Sequence, residues 1–365
     1  MWGTQKIIED KAEEKLATDF ADGRGKTIFG YYLAARDKII SEIAPEIKAR
    51  EPGLTDHGPE HIEDVLTRVG LLLGETMDDM SGTNLYLLIV SILFHDVGNV
   101  YGREDHNQVV GPIYDQVRIP SNPPSLEQLQ ERLLVLKICR AHSGKGEDKS
   151  NNTLRFLDKT EPLFNNEPAK VQEIAAILRF ADELSEGEQR TSSFALQDNF
   201  YDDATKVYHQ YALFSKVTID RELKRIALTY IIPISKKKPE KPGKLTTADL
   251  SQFLPFVYHR ILKLDQERRY ARHYARKYLE PYERTTITIK FVDEENNEIA
   301  GVSDGNGATN LELTDLVVPG DIEKSFIQHY PSYDPKSIIK QLNKRLRRSS
   351  QHKPTVFEKL FGGDK

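Results

Sequence analysis

Apolar residues recur at three- and four-residue spacing over 7–20, 27–48 and 61–73, which predicts amphipathic helices there. Residues 85–95 are apolar on every face, so a central buried helix is expected. Two further amphipathic stretches cover 126–142 and 169–184. Breakers separate these segments: Pro52-Gly53, Ser81-Gly82, the prolines of 120–124 and the polar run 144–152. No strand-like alternation precedes about residue 205.

The texture then changes. Residues 216–220 and 225–234 alternate as two strands of a hairpin turning at 221–224. A polar loop, SKKKPEKPGK, leads to a long helix over 247–279, with Thr246 or Thr247 near its N-cap. Strands at 285–292 and 298–302 follow, and 336–348 reads as one more helix. The expected architecture is mainly α. An all-α bundle occupies 1–200, a small α+β domain with an antiparallel ββαββ-like sheet occupies 201–305, and a helical or flexible extension occupies 306–365.

Composition narrows the class. The chain has 365 residues, 38% hydrophobic and 29% charged, enough for a buried core without staples. A net charge of −5 gives no global attraction to nucleic acid or anionic lipid. No run approaches 18 uncharged apolar residues, so no membrane association is expected. The N-terminal MWGTQKIIEDKAEEK lacks an apolar signal core, so a cytoplasmic protein is expected. Cys139 is the only cysteine, which excludes an intrachain disulfide and a cysteine-based zinc site.

Histidine and aspartate carry the chemistry. Of ten histidines, five lie from His57 to His142. The order is His57-x3-His61, His95-Asp96, His106, His142 and then Asp182. Imidazole and carboxylate together suit a divalent transition metal such as Mn, Fe, Ni, Co or Zn, and argue against Mg alone. His95-Asp96 ends the most apolar segment, LLIVSILFHDVGN, and Asp182 is set in AAILRFADELSEG. Buried polar groups without partners cost ~1–3 kcal/mol each, so these residues share either a metal or a hydrogen-bond network. His57 and His61 fall on one helical face if the helix begins early enough.

These positions resemble the H…HD…D pattern of the HD-domain superfamily of metal-dependent phosphohydrolases. HIEDV at 61–65, LFHDVGN and LRFADEL resemble its three ligand segments, and the resemblance covers roughly 50–190. His106 in HNQVVG and His142 in ICRAHSG resemble the extra histidines of its binuclear branch. The resemblance implies that His61, His95, Asp96 and Asp182 hold one ion. It also implies that Asp96 bridges to a second ion completed by His106 and His142. His57 resembles the general-acid histidine of cyclic-nucleotide phosphodiesterases, and water acidified by two cations would attack phosphorus. Two divalent ions are therefore expected, Mn or Fe foremost. Arg103, Lys145 and Arg190 follow the motifs and are candidates to clamp phosphate. The single histidine of AHSG, with no Gly-Tyr-Pro after it, departs from the cyclic-dinucleotide branch.

The long helix contains QERRYARHYARKYLEPY. Tyr270, Tyr274 and Tyr278 form one stripe beside Arg268, Arg272 and Arg276. Such a pattern either packs on the sheet with its arginines paired to acids, or stacks and neutralises single-stranded nucleic acid. The expected function is hydrolysis of a phosphoester or phosphoanhydride bond in a small nucleotide: an NTP, a dNTP or a cyclic nucleotide. Three rivals share the ligand set: an HD-type nuclease, a mixed-valent di-iron oxygenase and a non-enzymatic nucleotide sensor. Stand-alone HD hydrolases also act in bacterial antiphage defence, which makes antiviral defence one context for the chain.

Overall fold

The structure, a computed structural model, describes residues 7–20, 22–50, 53, 55, 57–119, 123–197, 200–236, 243–299, 311–314 and 324–351. Helices α1 (Ile7–Asp19) and α2 (Arg24–Lys38) open the chain, and a π-helical turn, Ile39–Ile43, joins α2 to α3 (Ala44–Arg50). Next come α4 (Pro59–Leu73), α5 (Gly82–Phe94), α6 (Val110–Arg118) and α7 (Leu126–Ala141). Every residue of α5 is buried, which accounts for its apolarity on all faces. The segment Gly82–Tyr101 is long and apolar enough to cross a membrane, but 94% of its most apolar window is buried in the protein. Helix α7 begins with a reciprocal cap: the Gln128 backbone N–H donates to Ser125 Oγ, and the Ser125 N–H donates back to Gln128 Oε1.

Two short strands, β1 (Glu161–Leu163) and β2 (Glu167–Ala169), then form a hairpin. No strand was expected here, because three residues are too few for alternation to register. Its turn is held by Phe164, Asn165 and Asn166, all at positive φ. Helices α8 (Val171–Leu184), α9 (Ser193–Gln197) and α10 (Asp203–Phe214) follow.

The second half supplies β3 (Ser215–Asp220), β4 (Arg225–Pro233), α11 (Leu250–Tyr274), α12 (Arg276–Leu279), β5 (Arg284–Val292) and β6 (Leu311–Thr314). It ends in α13 (Phe326–His329) and α14 (Pro335–Gln351). The sheet order is β3-β4-β5-β6. It is not wholly antiparallel, because β4 and β5 pair in parallel from Arg225↔Arg284 to Pro233↔Val292. The long helix between them explains this, since a parallel pair needs a crossover of a dozen residues or more. The strand expected at 298–302 is reduced to one bridge, Glu298↔Val292, and its last three residues lie outside the described ones. The expected helix over 247–279 is interrupted at Ala275, whose φ is −117°.

The buried apolar residues of the bundle and of the sheet form one continuous cluster. Helix α11 runs along α8, and a buried ion pair fastens the two. Arg179 donates to both oxygens of Glu267, at 2.5 and 2.6 Å, and to Thr153 Oγ1 at 2.6 Å.

Candidate metal centre

The expected ligands come from helix ends. His95 and His142 close α5 and α7, and Asp182 lies in the last turn of α8. Three helix C-termini therefore face one place, and the negative ends of their dipoles favour a cation there. His61 sits in the first turn of α4. Asp96 follows with φ −109° and ψ 0°, in the sparsely allowed bridge region where active-site residues often sit. His106 enters from the next loop, just after Asp105 at φ 53°.

Two ligand groups share the Asp96 carboxylate. His61, His95, Asp96 and Asp182 form the first, and Asp96, His106 and His142 form the second. Asp96 Oδ2 lies 3.5 Å from His61 Nε2 and 3.4 Å from His95 Nε2. Its other oxygen, Oδ1, lies 3.2 Å from His106 Nε2 and 3.7 Å from His142 Nε2. Asp182 Oδ1 closes the first group, 3.2 Å from His61 Nε2 and 3.7 Å from His95 Nε2. One carboxylate thus turns one oxygen to each group, which is what a ligand bridging two ions must do.

The backbone sets the histidine tautomers. Nδ1 of His95, His106 and His142 lies against the carbonyl three residues earlier: Ile92 at 2.8 Å, Arg103 at 3.1 Å and Cys139 at 2.5 Å. Each neutral ring then donates through Nδ1–H and presents a lone pair at Nε2. His61 Nε2 and His95 Nε2 are buried without a hydrogen-bond partner. Orphaned lone pairs facing two carboxylates are unfavourable for a hydrogen-bond network and fit a divalent cation.

Gly98 makes this approach feasible. A Cβ there would lie 1.9 Å from the His106 carbonyl oxygen, so only glycine lets the His106 loop close on Asp96. Asn107 then ties that loop to the end of α7, donating from Nδ2 to the carbonyls of Arg140 (2.9 Å) and Ser143 (3.2 Å).

Electrostatics follow from burial and company. Burial alone would raise the Asp96 and Asp182 carboxyls, but the surrounding imidazoles outweigh it and hold both well below the usual range. Burial lowers His142. His57 is lowered to about 3, chiefly by burial, with the Arg190 and Arg103 charges adding to it against the pull of Asp96. It is therefore a neutral imidazole at pH 7.

His57 precedes α4, which begins at Pro59, so it does not share a helical face with His61. The fold still sets the rings edge to face, 5.3 Å apart. His57 Nδ1 is 2.7 Å from Asp96 Oδ2, and Arg190 Nη2 is 3.2 Å from His57 Nε2. A neutral ring that donates from Nδ1 to Asp96 and accepts from Arg190 at Nε2 satisfies both contacts.

A cavity of about 400 Å³ opens onto these groups. Of the three candidate phosphate clamps, Arg103 and Arg190 line it; Lys145 is exposed and is not among the lining residues. The far wall was not foreseen. Tyr208 and Tyr211 of α10 and Arg260, Lys263 and Glu267 of α11 belong to it. Residues 260, 263 and 267 fall on one helical face, and that spacing was the available signal.

The Tyr/Arg stripe divides between core and surface. Arg268 and Tyr270 are buried, and Arg268 donates to Asp265, Thr285 and the Tyr282 carbonyl. Arg272 donates to the Glu280 carbonyl, and Tyr274 Oη accepts from Asn152. Arg276, paired with Glu280, is the well-exposed member. The hydrophobic and ion-pairing demands of the interface between α11 and the sheet take Arg268 inward.

The family model described as HD-CE matches residues 51–263, more than half of the chain. The matched span includes every ligand of both groups and ends at Lys263 on the far wall of the cavity. No curated protein and no solved structure matches.

Proposed function

The chain belongs to the HD-CE family, and on that footing we propose that it is a metal-dependent phosphohydrolase. Its substrate is a nucleotide, and the bond cut is a phosphoester or phosphoanhydride. The observation that carries this reading is the divided Asp96 carboxylate, with one oxygen turned to His61 and His95 and the other to His106 and His142. Divalent ions held there supply Lewis acidity toward phosphoryl oxygens and a more acidic water.

The chain's own residues do the rest. His61, His95, Asp96 and Asp182 would hold one ion, and Asp96, His106 and His142 the other. His57 orients Asp96 through Nδ1–H. Once Arg190 has left its Nε2 for the substrate, that lone pair can accept a proton from water and pass it to the leaving oxygen. Arg103 and Arg190 line the cavity and meet phosphate charge. The nucleotide-hydrolase reading is favoured over a nuclease because Arg268 and Tyr270 are buried, which leaves the Tyr/Arg stripe incomplete at the surface.

The test is incubation of Mn²⁺-loaded protein with mixed nucleoside triphosphates, deoxynucleotides, cyclic nucleotides and short single-stranded DNA, beside Asp96→Ala. Products are resolved by liquid chromatography with mass detection. Loss of one nucleotide with wild type alone supports the proposal. Shortened oligonucleotides with the nucleotides intact, or equal inertness of both proteins, overturns it.

A further inference from the structure

The cavity is lined by five cationic and five acidic side chains, histidines aside, so their formal charges cancel. Two divalent ions at the ligand groups would leave about four positive charges uncompensated in an enclosed site, where charge is screened less than in water. A single phosphodiester offsets about one of these. A nucleoside triphosphate offsets about four, since a terminal phosphate alone carries roughly 1.5–2.

The α11 wall has the groups to receive the extra phosphates. Lys263 Nζ has three N–H donors and gives one to Glu183 Oε2 at 2.7 Å. Its side chain is 41% exposed and lines the cavity. Arg260, on the same face, touches Glu183 at 3.1 Å and Glu186 at 2.5 Å through one nitrogen, Nη2, and lies over the Tyr211 ring. Arg190 lies 3.8 Å from Glu186. Three cations thus surround two glutamates, and Glu183 is the residue next to Asp182 of the first ligand group. The glutamates keep long cationic side chains ordered before substrate arrives, which lowers the entropy lost on binding.

We propose that Lys263, with Arg260 and Arg190, forms a polyphosphate subsite beside the metal ligands, and that the substrate is a nucleoside di- or triphosphate. This rests on the cavity being the hydrolytic site. Substrate phosphates beyond the one at the reacting bond lie along α11, with Lys263 as the main determinant of phosphate number. A cyclic nucleotide has nothing to place there.

Calorimetric titration of inorganic triphosphate, pyrophosphate and phosphate into Mn²⁺-loaded full-length protein tests this, with matched Mn²⁺ in both solutions. Wild type, Lys263→Ala and Lys263→Glu are compared, with bound metal and circular dichroism measured for each. The expected result is at least tenfold tighter binding of triphosphate than of phosphate. Lys263→Ala should lose tenfold or more for triphosphate but stay within twofold for phosphate, Lys263→Glu should lose more, and metal content should not change. Equal triphosphate affinity in wild type and Lys263→Ala, or no preference for the longer anion, overturns the subsite. The two proposals fail separately. If no nucleotide is hydrolysed yet triphosphate binding depends on Lys263, the hydrolase reading falls and the subsite stands. If a nucleotide is hydrolysed with a KM that Lys263→Ala leaves unchanged, the subsite falls and the hydrolase reading stands.

Discussion

Replacing Arg179 by Met should be among the most damaging single changes outside the ligand set. Arg179 and Glu267 are 6% and 5% exposed at their side chains, and the pair is bidentate. Met keeps much of the volume but leaves the Glu267 carboxylate buried without its partner, and Thr153 Oγ1 loses a donor. Removing one partner of a buried pair costs about 3–5 kcal/mol. With an unfolding entropy near 2.1 cal/mol/K per residue, 365 residues lose ~1.3 °C of Tm per kcal/mol, so the expected fall is ~4–7 °C.

The double variant Arg179→Met/Glu267→Leu removes both charges together and should recover most of that loss. Urea unfolding at constant m-value and differential scanning calorimetry measure both variants. Arg179 also lies one turn before Asp182 on α8, so the single variant should bind the first ion more weakly. A single variant within ~1 kcal/mol of wild type would refute the reasoning. So would a double variant no better than the single, because the loss would then come from packing rather than from a stranded charge.

Two further predictions concern the loops that complete the site. Gly98→Ala places a methyl group against the His106 carbonyl, so the His106 loop must retreat from Asp96. Elemental analysis should show one metal equivalent fewer per chain, and an unchanged count would contradict the role given to Gly98. His209 spans the loops that carry His57 and Arg190, with Nε2 3.0 Å from the Gly53 carbonyl and Nδ1 2.8 Å from Thr191 Oγ1. Burial lowers its pKa below the unfolded value near 6.5. The unfolded chain therefore takes the proton first as pH falls, and stability present above about 6.5 is lost as pH drops through the folded value. His209→Gln should flatten the decline of unfolding free energy between pH 7 and 5, measured by urea titration, and identical slopes would exclude this role.

The helical half was largely legible in the sequence because its signal is local. The apolar segment ending in His95-Asp96 is α5, and the stretch ending in His142 is α7 with its Ser125/Gln128 cap. The ligand clusters were legible for a related reason: a polar pair ending an all-apolar helix must be buried, and buried imidazole and carboxylate need company. What escaped depends on contacts distant in the chain. The parallel pairing of β4 with β5 follows from where α11 crosses, which no window of residues contains. The exposed-looking Arg268 is fully buried because Asp265, Thr285 and the Tyr282 carbonyl enclose it from an adjacent turn, a strand and a loop. The α11 wall escaped because the spacing of Arg260, Lys263 and Glu267 has meaning only once α8 lies alongside.

If Asp96 joins two metal sites, its loss should empty both. Metal content measured by inductively coupled plasma mass spectrometry tests it most directly, after loading with Mn²⁺ and removal of free ion. Two equivalents per chain are expected for wild type, close to one for Asp182→Asn and His106→Ala, and nearly none for Asp96→Ala. Wild type that retains no metal, or Asp96→Ala that retains two equivalents, would contradict it.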